Sequence, residues 1–465
     1  MGEPPTLKIR FSVTLAVFAG IAAAQSQDVQ PPTTGDTTYE GPSILSRDRS
    51  LIGERSGKLL DYRLFGEITG VYDSSLVPVA TNSAGQLATA SGSYGVEAGF
   101  GVTGTKSWRH DTFAIDYHGT YRHYTNNSFF DGIDQFVNLV YSHQFSRHVS
   151  IQLRQTAGTS SLGNGGLTYL PLQNTDLYSV PTNELFDNRT DYLQSRVDLK
   201  WQKSLRLSIN IGGEGFLVRR RSLALASLNG YNGHADISYR LTKRQTIMVS
   251  VEHNQFDFLR QFGNANMTLF AGGYSVGLSR RWDFATRIGA MRVDATGLTI
   301  VNVDPAIAAI VGQNTAVVAF HRISYLPTVE LQLIRRFERS SLTIAASQFV
   351  TPGNGVFLTS KQIAGTVGYS YTGIRKMTFA ANAGYSRLES LGQALGNFNG
   401  EQSGVGSTYK IGRDLHIEAR YDFRHYNVGS VATTSGTTQN PYKQNSSRVS
   451  MGLAFAPGDR PLPIW

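Results

Sequence analysis

Cysteine is absent from the 465 residues, only 17% of them are charged, and no stretch after the first 24 is apolar enough to form a membrane-spanning helix. The missing thiols exclude disulfide scaffolds, zinc ribbons and cysteine catalysis, and leave the redox compartment undetermined. The shortage of charge, against about 25% in an ordinary soluble protein, argues against both a soluble globule and a disordered chain. Neither a His-x-His nor a Glu-x-x-His cluster suggests a bound metal, so no cofactor is expected. What the chain does have is 48 Gly, 22 Tyr, 24 Phe and a net charge of +9. No basic patch with interleaved aromatics accompanies that charge, so nucleic acid is not an expected partner.

Lys8 and Arg10 precede an apolar run from Phe11 to Ala24, and Ala22-Ala23-Ala24 is a small-residue cleavage pattern. Residues 1–24 are therefore expected to be a removed signal peptide, and the run is too short for a spanning anchor. Residues 25–58, rich in Pro, Thr, Gly, Ser and Asp, have no periodicity and are expected to form a flexible periplasmic leader.

From Leu59 the chain alternates at period two. Leu60, Tyr62, Leu64 and Ile68 oppose Asp61, Arg63, Glu67 and Thr69. Tyr94, Val96, Ala98, Phe100 and Val102 oppose Ser93, Glu97 and Thr103. Near the end, Leu415, Ile417, Ala419, Tyr421 and Phe423 oppose His416, Glu418, Arg420, Asp422 and Arg424. Each run is about the 9–11 residues that a tilted strand needs to cross a bilayer.

The links between runs alternate in length. Short ones fall at Lys106–Asp111, Ser146–His148, Lys203–Ser204, Thr242–Gln245, Arg280–Asp283, Arg335–Arg339, Thr372–Lys376 and Gly412–Asp414. Long ones fall at 73–92, 125–132, 159–189, 219–229, 258–266, 294–316, 351–360, 388–398 and 427–444. That pattern predicts an all-β, transmembrane, antiparallel up-and-down barrel over residues 59–456, of about 18 strands with 16 as the alternative, both termini periplasmic. Residues 457–465 follow as a periplasmic extension. All four Trp lie at the short-turn end, and Trp108, Trp201 and Trp282 are expected in an aromatic girdle at the headgroup level. Every short turn carries Lys or Arg, which either holds anionic lipid or is ordinary turn polarity. Pro327 interrupts the run Tyr325 to Ile334, where a bulge or kink is expected.

These alternating runs, with the final face Ser447, Val449, Met451, Leu453 and Phe455, resemble Gram-negative porins and porin-like outer-membrane barrels. The resemblance is architectural and implies a passive channel for small polar solutes, located in the bacterial outer membrane and inserted by the barrel assembly machinery. It also allows a homotrimer. In trimeric porins the loop between the fifth and sixth strands narrows the pore. The resemblance thus places Asp176, Glu184 and Asp187 of loop 159–189 against lumenal Arg63, Arg420, Arg424 and Arg448. The other reading is that Glu67, Glu418 and Asp422 neutralise those arginines in a packed ladder.

Two enzyme-like strings fail on context. Gly99-Phe100-Gly101-Val102-Thr103-Gly104 precedes a hairpin turn rather than a helix, and Gly273-Tyr274-Ser275-Val276-Gly277 lies inside an alternating strand. His118, His234 and His416 each have a carboxylate two residues along the same face, at Asp116, Asp236 and Glu418. The expectation is a non-enzyme; the alternatives are an outer-membrane barrel hydrolase and a structural or adhesive barrel with a plugged lumen.

Overall fold

The computed structural model describes residues 60–74, 80–81, 87–88, 92–125, 131–160, 190–221, 225–304, 306, 308, 310, 312–353, 355, 358–392, 397–412, 414–428 and 444–455. The expected signal peptide, the 25–58 leader, the 457–465 extension and loop 161–189 lie outside these residues.

The strands follow in order: β1 (Leu60–Asp73), β2 (Ala80–Thr81), β3 (Leu87–Ala88), β4 (Ser93–Ser107), β5 (Asp111–Tyr124), β6 (Gly132–Gln144) and β7 (Val149–Ser160). Next come β8 (Thr190–Gln202), β9 (Leu207–Arg220), β10 (Ser227–Thr242), β11 (Gln245–Leu259), β12 (Gly263–Gly277), β13 (Trp282–Asn302) and β14 (Thr315–Arg336). The chain closes with β15 (Ser340–Thr351), β16 (Ser360–Ile374), β17 (Met377–Ser390), β18 (Asn397–Lys410), β19 (Leu415–Val428) and β20 (Gln444–Phe455). Eighteen of these form one sheet, while β2 and β3 make a small separate hairpin in the first long link. Each barrel strand pairs antiparallel with its sequence neighbours, and β1 pairs with both β4 and β20, so the sheet closes and leaves no edge through the barrel wall.

The faces sort as the alternation requires. Ile68 is 65% exposed beside Thr69 at 7%, and Val249 is 60% exposed beside Ser250 at 1%. Every barrel strand carries at least one exposed large apolar side chain, from Ile68 on β1 through Phe270 on β12 to Met451 on β20. A continuous apolar belt of that extent is stable only against hydrocarbon. No helix among the described residues is long and apolar enough to cross a membrane, which leaves the strands as the spanning elements.

Three local expectations fail. The 258–266 link, expected to be long, is only Arg260 to Phe262, because β11 runs to Leu259 and β12 starts at Gly263. The 294–316 link is shorter than expected, because β13 runs to Asn302 and β14 starts at Thr315, forming a ribbon that extends past its neighbours. Strands there exceed the bilayer requirement because pairing continues in water beyond the apolar belt. Pro327 makes no bulge: it pairs in register with Ala290, and the β14–β15 ladder begins only at Val329. The proline sits where β14 has an open edge, so its missing N–H costs no ladder bond.

Candidate functional site

The inward faces divide into three walls. The first spans β19, β20, β1, β4, β5 and β6 and carries an ion-pair ladder. Arg448 on β20 reaches Glu97 on β4 at 2.5 Å. Glu97 also accepts from Nε of the buried Arg122 on β5, whose Nη2 lies 3.2 Å from Asp134 on β6. Above them the Tyr124 hydroxyl donates to Asp73 at 2.6 Å. Arg420 and Asp422 pair with each other along β19 at 2.7 Å, and Thr69 donates to Glu418 at 3.2 Å. Of the neutralising pairs weighed from the sequence, Arg420–Asp422 is present, whereas Arg448 pairs with Glu97, a partner that reading did not name. Glu67 and Arg424 lie on the same inward faces, each half-buried, and Arg63 occupies a matching strand position. Asp176, Glu184 and Asp187 fall outside the described residues.

A second network, which the sequence did not reveal, crosses β8 to β14. Arg196 on β8 grips Asp198 through Nε and Nη2 at 2.6 and 3.1 Å. Asp198 then meets Nε2 of His234, from β10, at 2.9 Å. The two partners sit on strands that flank β9, and both pair opposite Gly212. A Cβ there would come within 2.5 Å of Asp198 Oδ1 and of the His234 ring, so glycine is what lets the two side chains touch. The same-strand carboxylate Asp236, the expected partner of His234, is instead 3.5 Å from the Asn210 amide. Further round, Arg287 on β13 reaches across β12 to Ser250 at 3.1 Å and to Glu252, and on its other side stands 3.7 Å from Glu330. The residues bonded to His234 are Asp198, Arg196 and Asn210, with no serine, threonine or cysteine among them, so the cluster does not have the make-up of a Ser-His-Asp triad.

Above this network the wall turns apolar. Phe216, Phe256, Met267, Leu269, Met291 and Val293 point inward and are buried, joined by Val350 and Leu358 from the two ends of the 352–359 link. Leu358 thus joins the apolar inward face of β9–β13, and Gly355 lies at the same end. It is fastened there by the Ala226 N–H donating to Gly355 O at 3.0 Å, while Arg220 Nη1 donates to Ala226 O at 2.6 Å. Gly355 has φ +90°, and its Cα lies under the Arg220 side chain, a position closed to other residues on both counts. A sequence signal was present: in Met267-Thr268-Leu269-Phe270-Ala271 both faces are apolar, which a water-facing wall does not need.

The third wall, β15 to β18, is uncharged above Lys410 at its turn end. It presents Thr343, Ser347, Gln362, Thr366, Asn382 and Ser386, with alanine and glycine between them. At the extracellular rim, partial burial works to raise the Asp131 carboxyl. The Tyr124 N–H at 2.7 Å and then His123 at 2.7 Å outweigh it and hold the group below the ordinary aspartate range. At the opposite rim Trp108 and Trp201 are each nearly half exposed, as a girdle requires. Lys106 stacks over Trp108 at 4.9 Å and Arg335 over Trp282 at 4.7 Å.

No family model matches the chain, and no curated protein matches it. Among solved structures, Pseudomonas aeruginosa OccK2 (OpdF) in complex with glucuronate is similar at 11% identity over 85% of this chain and 98% of that one, with a TM-score of 0.44. A BenF-like porin from Pseudomonas fluorescens Pf-5 is similar at 8% identity over 85% and 98%, with a TM-score of 0.45. Pseudomonas aeruginosa OpdQ matches at 10% identity over 87% and 98%, with a TM-score of 0.43.

Proposed function

We propose that the chain is a passive outer-membrane channel for small hydrophilic solutes or ions. The observation that carries this is the contrast between the two faces of one closed sheet. Its outside is apolar on every strand, while its inside is lined by ion pairs on β19–β6 and β8–β14 and by hydroxyls and amides on β15–β18. At eighteen strands side chains alone do not fill a barrel, so a polar interior holds water. The chain reaches the bacterial outer membrane through its 1–24 export signal, and β20 is what the assembly machinery engages.

Gly355 and Leu358 pack on the apolar inward face near the extracellular end, and we infer that they narrow the channel there. Reconstitution of the purified protein in planar bilayers tests the reading. Discrete ohmic conductance steps are expected, and a persistently silent bilayer overturns it. Leu358→Ser, which loosens the link from its apolar seat, is expected to raise the unit conductance.

A further inference from the structure

At the short-turn rim the β10–β11 and β12–β13 turns enclose a cleft of about 570 Å³ lined by Lys243, Arg244, Val276 and Leu278 among others. The two turns are joined by the Gly277 N–H donating to Arg244 O at 2.9 Å, so the cleft is part of the ladder rather than a gap between loose loops. Its chemistry is two-sided. Lys243 and Arg244 are exposed, and no described carboxylate lies within ion-pair distance of either. On the neighbouring turns, by contrast, Arg281 is matched by Glu338 at 2.8 Å and Arg336 by Asp283 at 2.6 Å. Beside the two cations Leu278 is 61% exposed although it sits in a turn, and Leu241 is 42% exposed on the adjoining strand end. Trp282, which begins β13 just after this turn and is stacked on Arg335, is of the residue type that favours the headgroup level.

Uncompensated cations next to a bare apolar shelf, at the level where hydrocarbon gives way to water, match an amphiphile with an anionic head. We infer that this cleft binds the phosphate headgroup of an anionic phospholipid, with Lys243 and Arg244 on the phosphate and Leu278 against the start of an acyl chain. The inference rests on the membrane placement proposed above but not on conduction, so a silent bilayer would overturn the channel and leave the lipid site standing.

The test uses the full mature protein reconstituted in vesicles of equal phosphatidylglycerol and phosphatidylethanolamine, extracted mildly and weighed intact by native mass spectrometry. The wild type is expected to retain phosphatidylglycerol preferentially. The Lys243→Ser/Arg244→Ser double variant should lose that preference by about fivefold for each cation removed. Arg219→Ser/Arg221→Ser removes the same charge from the opposite rim and should leave the preference unchanged. Leu278→Ser keeps both cations and should still weaken retention, which separates a lipid from free phosphate. Heat-modifiable migration on gels verifies that each variant is folded. Equal retention of the two lipids by the wild type overturns the inference, as does an equal loss from the opposite-rim variant. Displacement of the lipid by inorganic phosphate, with Leu278→Ser without effect, would assign the cleft to free phosphate and overturn it too.

Discussion

The β8–β14 wall and the β15–β18 wall are built from the same alternating strands, yet they solve opposite problems. On β8–β14 the inward positions hold Arg196, Asp198, His234, Glu252, Arg287 and Glu330, which meet one another along a strand, between adjacent strands or across one intervening strand. Higher up, the same strands turn apolar and are joined by Val350 and Leu358 from the β15–β16 side. On β15–β18 the inward positions hold hydroxyls, amides and small residues over most of their height, with buried Phe349, Leu388 and Phe398 only at the extracellular end. The lesson is that a water-facing wall needs only polarity, whereas a wall with buried charge or apolar surface needs specific partners. Such partners are non-local by construction, so the first wall should be fragile and the second tolerant.

Removing Arg287 is the hardest test of that contrast. Arg287→Ala leaves Glu252 and Glu330 without their shared guanidinium and should cost about 3–5 kcal/mol in urea unfolding of the reconstituted barrel. A cost no larger than that of a neutral-wall substitution would mean that the charged wall is solvated rather than sealed. Gly212→Ala comes next, at about 1–3 kcal/mol, because the new methyl enters the space where Asp198 meets His234. Leu358→Ser is expected to cost less stability and to show mainly as increased conductance, because the 352–359 link can lift while the strands stay paired. Thr366→Val, on the neutral wall, should stay within about 1 kcal/mol even though Thr366 is buried.

The smallest effect belongs to Asp131. Its carboxyl is depressed in the folded protein, so the order it gives the rim is present above the unfolded pKa and is lost as pH falls through the lower folded value. Hydrogen exchange at the Tyr124 amide should therefore quicken on acidification, and Asp131→Asn should quicken it at neutral pH while leaving global unfolding unchanged. An exchange rate independent of pH, after correction for intrinsic exchange, would show that the carboxylate does not order the rim.

The sequence was most informative where its signals are local. A side chain's face follows from the parity of its position, and a hairpin turn from a few residues, so strand count and face assignment were legible. Pro327 was misjudged because its effect depends on where the β14–β15 ladder stops, which is a property of how the neighbouring strand runs. His234 was matched to Asp236 along its own strand, but a period-two rule knows nothing of Gly212, which admits Asp198 from two strands away.

By itself, then, the sequence determined a closed antiparallel barrel with an apolar outside and a polar inside, because period-two alternation and turn chemistry act over a few residues. The tertiary structure alone decided which inward charges meet and that Leu358 packs into the apolar cluster of β9–β13. Those outcomes depend on register and curvature summed around eighteen strands, and no stretch of residues encodes such a sum in its own composition.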